Sequence, residues 1–262
     1  MFFLSCGGIG GLIFSFFIFN EGAVLKGLLF GFLMVWWVGC AWGDEGAWEN
    51  EAALGASYRS GNTDRSLYTT NVKRERYSDA NDWLNSFYGE HGETEGLQTE
   101  GLARAQSEYR FRFSNPAYFA SVFTQGVHDS IRGIRFRGQL GPNVGCYVIR
   151  DEQMKLDVAA GVNLTYDRGV EEEATYTGFR LASNFNWDFS ERASIYAEVE
   201  LNGNAEEPTE DYYGWLVMGV KSGLLESVSL FAELRDEYDN MPDAVGSERN
   251  DVLVSLGLVY DF

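Results

Sequence analysis

The sequence predicts an all-β chain: a transmembrane, antiparallel, up-and-down β-barrel of about twelve strands. Three observations predict it. Apolar and polar residues alternate with period two through nearly all of the chain after residue 47. The alternating runs approach the length that a tilted strand needs to cross a bilayer, about ten residues. The most apolar of them, "DVLVSLGLVYDF", is the last stretch of the chain. A soluble domain would have to cover such a face with a second layer, whereas lipid covers a membrane barrel.

The clearest run is "MKLDVAAGVNLTYD", residues 154–167. Met154, Leu156, Val158, Ala160, Val162, Leu164 and Tyr166 face one way, and Lys155, Asp157, Asn163, Thr165 and Asp167 face the other. The same reading gives twelve segments: 47–59, 65–77, 82–91, 100–113, 117–128, 133–149, 153–167, 174–189, 193–203, 211–222, 227–239 and 249–262. In the fourth, Ala103, Ala105, Tyr109, Phe111 and Phe113 alternate with Arg104, Gln106, Glu108, Arg110 and Arg112. The eighth sets Phe179, Leu181, Phe185, Trp187 and Phe189 against Arg180, Asn184, Asn186 and Asp188. Strands two, three and ten alternate poorly, which leaves the count open by one hairpin in either direction, from ten to fourteen. Pro142 falls inside the sixth segment, where it cannot donate a ladder hydrogen bond, and a bulge is expected at Gly141-Pro142.

Connections after the even strands are mostly short ("RDEQ", "SERA"). Those after strands three, seven, nine and eleven are longer and acidic: "GETEGLQTE", "RGVEEEAT", "GNAEEPTED" and "DNMPDAVGSER". Alternating short and long connections are the outer-membrane pattern, with short turns in the periplasm. An even strand count returns both termini to that side. Aromatics on the apolar face gather near both strand ends: Phe113, Trp187, Phe189, Tyr260 and Phe262 at one, Tyr58, Tyr166 and Tyr238 at the other. Such girdles mark the two membrane interfaces. A secreted β-sandwich, the alternative, requires neither girdles nor unequal loops.

Composition bounds the rest. The 262 residues carry a formal charge of −19, and the 20 Lys and Arg form no basic run, which argues against a nucleic-acid partner. Cys146 is the single cysteine after residue 43, so no intramolecular disulfide and no metal-ligand spacing is expected there; no cofactor or metal is expected either. Residues 1–43 read as a signal peptide. Residues 24–43 hold one Lys, a long apolar run and Ala41-Trp42-Gly43, whose small residues suit cleavage before Asp44. Residues 1–23 lack a basic start and read as an upstream extension if translation begins at Val24. A membrane anchor over 22–43 is the alternative. Residues 44–262 would form the barrel.

At "SGNTDRS", residues 60–66, the chain resembles the salt-induced outer-membrane protein family, a group built on a domain of unknown function. The matching pieces are Trp48, Gly61-Asn62-Thr63-Asp64, and "HDSIRGIRFRGQLGPNVGCY" with Asp129, Gly133, Arg137, Gly141, Gly145 and Tyr147. The resemblance spans about residues 47–262. It implies a Gram-negative outer-membrane barrel and supplies no activity, substrate or catalytic residue. A final Phe262 after Tyr260 looks like the signal read by the barrel assembly machinery.

Candidate sites follow from the inward faces. Arg104, Arg110, Arg112, Arg135, Arg137 and Arg180 on strands four, six and eight form a basic wall. Glu198, Glu200, Glu233 and Glu237 on strands nine and eleven form an acidic one, roughly opposite. The expectation that follows is a narrow passive channel for small polar or anionic solutes; the alternative is a non-conducting envelope barrel whose lumen is filled with ion pairs. His128-Asp129-Ser130 at the outer rim suggests a hydrolase, but consecutive strand residues face opposite ways and cannot assemble a triad; no catalytic residue is expected. Acidic loop runs such as Glu171-Glu172-Glu173 are read as solvated surface near lipopolysaccharide. The expected partners are outer-membrane lipid, lipopolysaccharide, the assembly machinery and a small polar solute.

Overall fold

A computed structural model of the chain describes residues 48–59, 65–169, 173–242 and 248–262. The signal-peptide region 1–43, the Gly61-Asn62 turn and the side chain of Tyr58 lie outside the described residues. Twelve strands follow one another: β1 (Trp48–Arg59), β2 (Arg65–Tyr77), β3 (Asn81–Thr94), β4 (Leu97–Arg112), β5 (Tyr118–Asp129), β6 (Ile134–Arg150), β7 (Met154–Arg168), β8 (Glu173–Ser190), β9 (Ala193–Asn204), β10 (Tyr212–Gly223), β11 (Val228–Asp239) and β12 (Asn250–Asp261). Each pairs antiparallel with its sequence neighbours, and β12 returns to β1 to close the barrel. The twelve-strand expectation holds, with strand ends moved by a few residues at most.

The closing seam explains the apolar last strand. It runs from Glu51↔Asp261 to Gly55↔Gly257. Asn50 anchors the terminus: its Nδ2 donates to the Phe262 carbonyl (2.9 Å), and the Phe262 amide donates back to the Asn50 carbonyl (3.1 Å). The two opposed glycines make room for the buried Phe231 ring, whose Cε1 lies 2.6 Å from where a Gly257 Cβ would stand. Outside, Val252, Val254, Leu256 and Leu258 are exposed, as are Leu140, Val144, Val162 and Leu164 on the β6–β7 side. With the sheet closed on itself and an apolar band outside, the barrel meets the conditions for spanning a bilayer.

One end of the barrel carries the described chain termini and the turns 78–80, 113–117, 151–153, 191–192 and 224–227; it is the short-turn end. The other is the long-loop end. Its asymmetry differs from expectation at β3–β4: both strands continue through "GETEGLQTE" and meet in a two-residue turn, Glu95 (φ 53°) and Gly96 (φ 78°). Positive φ at both positions suits the right-handed twist of a hairpin, so the segment extends the sheet instead of looping. At the short-turn end Phe113, Trp187, Phe189, Tyr260 and Phe262 are exposed, with Tyr260 and Phe262 stacked at 5.8 Å.

The bulge expected at Gly141-Pro142 is absent. The β5–β6 ladder runs through both residues, and the β6–β7 register is the same on either side of them (Leu140↔Leu164, Asn143↔Gly161). Pro142 faces outward, and the missing ladder bond is absorbed as two omitted pairs with no register change. Bulges occur elsewhere, between Val127 and Asp129 against β6 and between Tyr147 and Ile149 against β7. Both re-aim arginines.

Candidate functional site: an ion-paired lumen and a basal cavity

Inward side chains pair with one another across the barrel. Arg104 on β4 donates from Nη1 to Glu237 Oε1 on β11 at 3.1 Å, and its guanidinium lies 4.0 Å from the Trp215 ring centre. Arg180 on β8 donates from Nη2 to Glu200 on β9 (2.7 Å), approaches Glu108 on β4 (3.7 Å) and stacks on Phe123. Arg110 donates to Glu108 and to Asp157, both at 3.1 Å. Arg112 pairs with Asp82, which also accepts from the Tyr147 hydroxyl. Arg137 donates from Nε to Asp167 (2.6 Å) and has Asp239 at 3.9 Å and the Tyr213 ring beneath it. On the acidic side, Glu198 pairs with Lys73 from β2 across the lumen, and Glu233 accepts from the Tyr196 hydroxyl (2.9 Å) and from Arg235 (3.4 Å).

Thus nine of the ten lumen candidates are brought together, basic against acidic. Arg135 is the exception. Opposite the Val127–Asp129 bulge the β6 chain carries an extra residue, so Ile134 takes the buried position beside Asp129 while Arg135 is exposed. Its carbonyl binds the His128 ring. The rim triplet is dispersed as well: Asp129 caps the Ile131 and Arg132 amides, and the Ser130 hydroxyl donates to the Gly101 carbonyl.

Sequence reasoning missed the partners that complete the network. Lys73 lies on β2, where Arg74 and Arg76 occupy the outward face and stack on Trp48 at 4.2 and 5.6 Å. Charge on both faces erases the alternation that would have marked Lys73 as inward. Arg132 belongs to the β5–β6 turn and reaches over the long-loop mouth to β11 and β12. It donates to Asp251 (2.7 Å) and to the Glu237 carbonyl (3.3 Å), with the Glu237 carboxylate at 3.5 Å. A turn residue carries no parity, so nothing in the pattern marks it.

The network packs tightly. Arg104, Arg137 and Glu237 are each 7% exposed, and Thr165 and Asn202 are fully buried. Towards the short-turn end the lumen widens into a cavity of about 460 Å³, reaching from Glu49, Tyr77, Arg150 and Lys155 at the mouth to Trp215 at the roof.

Residues 52–262 match the family described as "Protein of unknown function, DUF481". The chain belongs to that family. The family's description names neither an activity nor an inducing condition. No curated protein matches the chain. Solved structures similar to it include the NanC porin (7% identity over 81% of this chain and 98% of that one, TM-score 0.49), the KdgM porin (9%, 82% and 99%, 0.44) and the translocator domain of autotransporter NalP from Neisseria meningitidis (11%, 92% and 97%, 0.41).

Proposed function

We propose that this family member is an outer-membrane barrel with its short-turn end in the periplasm, its lumen closed to the outside, and no catalytic role. Of the two expectations drawn from the inward charges, the ion-paired lumen is favoured over the open channel. One observation carries the choice: Arg104, Arg137 and Glu237, which would line a pore towards the long-loop end, are almost inaccessible to water. In a conducting bore Arg104, Arg137 and Glu237 would be solvated, since fixed charges in a passage act on ions through the water they share. Here Arg104 is bonded to Glu237 and Arg137 to Asp167 instead. Envelope placement is supported by the apolar band on the outer face, the aromatic girdle and a closed sheet without edges. In this reading Tyr260 and Phe262 serve the assembly machinery, and residues 1–43 are removed on export.

Recording from the refolded protein in planar bilayers tests the closure. The parent should give no steady current steps. Steady, ohmic conduction by the parent would overturn the closed-lumen reading and restore the channel.

A further inference from the structure

Two like-charged pairs face each other across the mouth of the basal cavity. Glu49 on β1 stands directly opposite Glu75 on β2, and both line the cavity. On the far wall Arg150 on β6 stands directly opposite Lys155 on β7, and both line it too. Arg150 is there only because of the Tyr147–Ile149 bulge: the extra residue turns Ile149 outward against Leu156 and brings Arg150 to the inner face.

Like charges directly opposed on a sheet face repel, and neither pair is closed by an ion pair. Among the described residues neither Arg150 nor Lys155 has a carboxylate within ion-pair distance. Arg150 lies over the Tyr147 ring (4.7 Å) and Lys155 over the Tyr77 ring (4.9 Å). Glu49 has no cation there, and Glu75 accepts only from the Tyr77 hydroxyl (2.7 Å). Elsewhere in the lumen Lys221 pairs with Glu51, Lys73 with Glu198 and Arg180 with Glu200. Deeper in the same cavity, Arg180 is buried, yet its Nε and Nη1 have no hydrogen-bond partner.

From these opposed pairs we infer that the basal cavity binds a dipolar solute, a short peptide with free termini, ammonium towards Glu49 and Glu75 and carboxylate towards Arg150 and Lys155. The two poles are separated by little more than the Tyr77 ring, because that ring carries Lys155 on its face and Glu75 at its hydroxyl. An extended chain spans at most about 3.3–3.6 Å per residue, so two or three residues bridge the poles. A cavity of about 460 Å³ admits that size. Guanidinium and carboxylate make the charge-assisted contacts such termini require.

The site stands on the lumen being closed above the cavity, which bilayer recording tests by itself. Titration in detergent micelles is indifferent to conduction, so the two readings can fail separately. Calorimetric titration of the refolded protein would use trialanine, N-acetyl-trialanine and trialanine amide. Trialanine should bind, and each blocked form should bind about tenfold more weakly. Arg150→Gln with Lys155→Gln should abolish discrimination against the amide only. Glu49→Gln with Glu75→Gln should abolish discrimination against the acetylated form only. Because each double variant removes a repulsion, both should melt no lower than the parent in the absence of peptide. Equal binding of all three peptides, absence of binding at millimolar trialanine, or a lowered melting point in both variants would overturn the assignment.

Discussion

Arg104 on β4 and Glu237 on β11 meet across the lumen at 3.1 Å, and they are unequal partners. Arg104 has one carboxylate and a tryptophan face. Glu237 has three guanidiniums: Arg104, Arg132 at 3.5 Å and Arg235 at 3.7 Å. Removing one partner of a buried pair costs about 3–5 kcal/mol because the other charge is stranded. Glu237→Ala strands Arg104 and takes a carboxylate from Arg132 and Arg235, which keep Asp251 and Glu233, and should fall at the upper end of that range. Arg104→Ala leaves Glu237 with two arginines and should fall at the lower end. Equilibrium unfolding by urea in micelles measures both; equal losses would mean that Arg132 and Arg235 do not share Glu237.

The exterior gives a second expectation. Leu256 is 64% exposed near the middle of β12 on the face that meets lipid. Leu256→Arg should cost about 2–4 kcal/mol for insertion near the bilayer midplane. Refolding yield into vesicles reads this directly, and insertion as efficient as the parent's would mean the band does not sit in hydrocarbon.

Gly161 on β7 tests the close packing of β6 on β7. Alternation alone places Gly161 in the lumen, where Gly161→Ser looks mild. However, a Cβ there would collide with the Pro142 carbonyl and the Asn143 side chain. Backbone cannot rotate away as a side chain can, so Gly161→Ser should cost about 1–3 kcal/mol, as overpacking does. A melting temperature equal to the parent's would show that the β6–β7 ladder has slack at Pro142.

The contrast between Gly161 and the strand pattern marks what the sequence could convey. Parity was legible wherever one face was apolar: β7, β8, β9 and β12 fall where alternation puts them, and Val158 and Leu256 face outward. Parity also placed nine of ten lumen charges. It failed at Arg135 because a bulge changes the count of residues without changing their types. It failed at Lys73 because Trp48 draws arginines onto the outer face of β2. Arg132 and the two-residue Glu95-Gly96 turn were hidden for a related reason: turns have no face, and acidic residues in a protruding hairpin look like those in a loop. Cross-lumen partners depend on how the ring closes, a long-range fact that no local period encodes.

The last expectation separates the two arginines that sequence alone would have treated together. If both belonged to a basic wall, reversing either would change the lumen. Arg135 is exposed beside the bulge and should tolerate Arg135→Glu without change in stability or conduction. Arg104→Glu places a carboxylate beside Glu237 and against the electron-rich face of Trp215, so attraction becomes repulsion at both contacts. The bridge between β4 and β11 should then part, and bilayers holding this variant should show current where the parent shows none. That current should favour cations, because carboxylates would line the new gap. Arg104→Lys keeps the charge but loses the planar stack on the ring, so it should lower stability while remaining silent. Current from Arg135→Glu, or silence from a folded Arg104→Glu, would show that the barrel is held closed by something other than this pair.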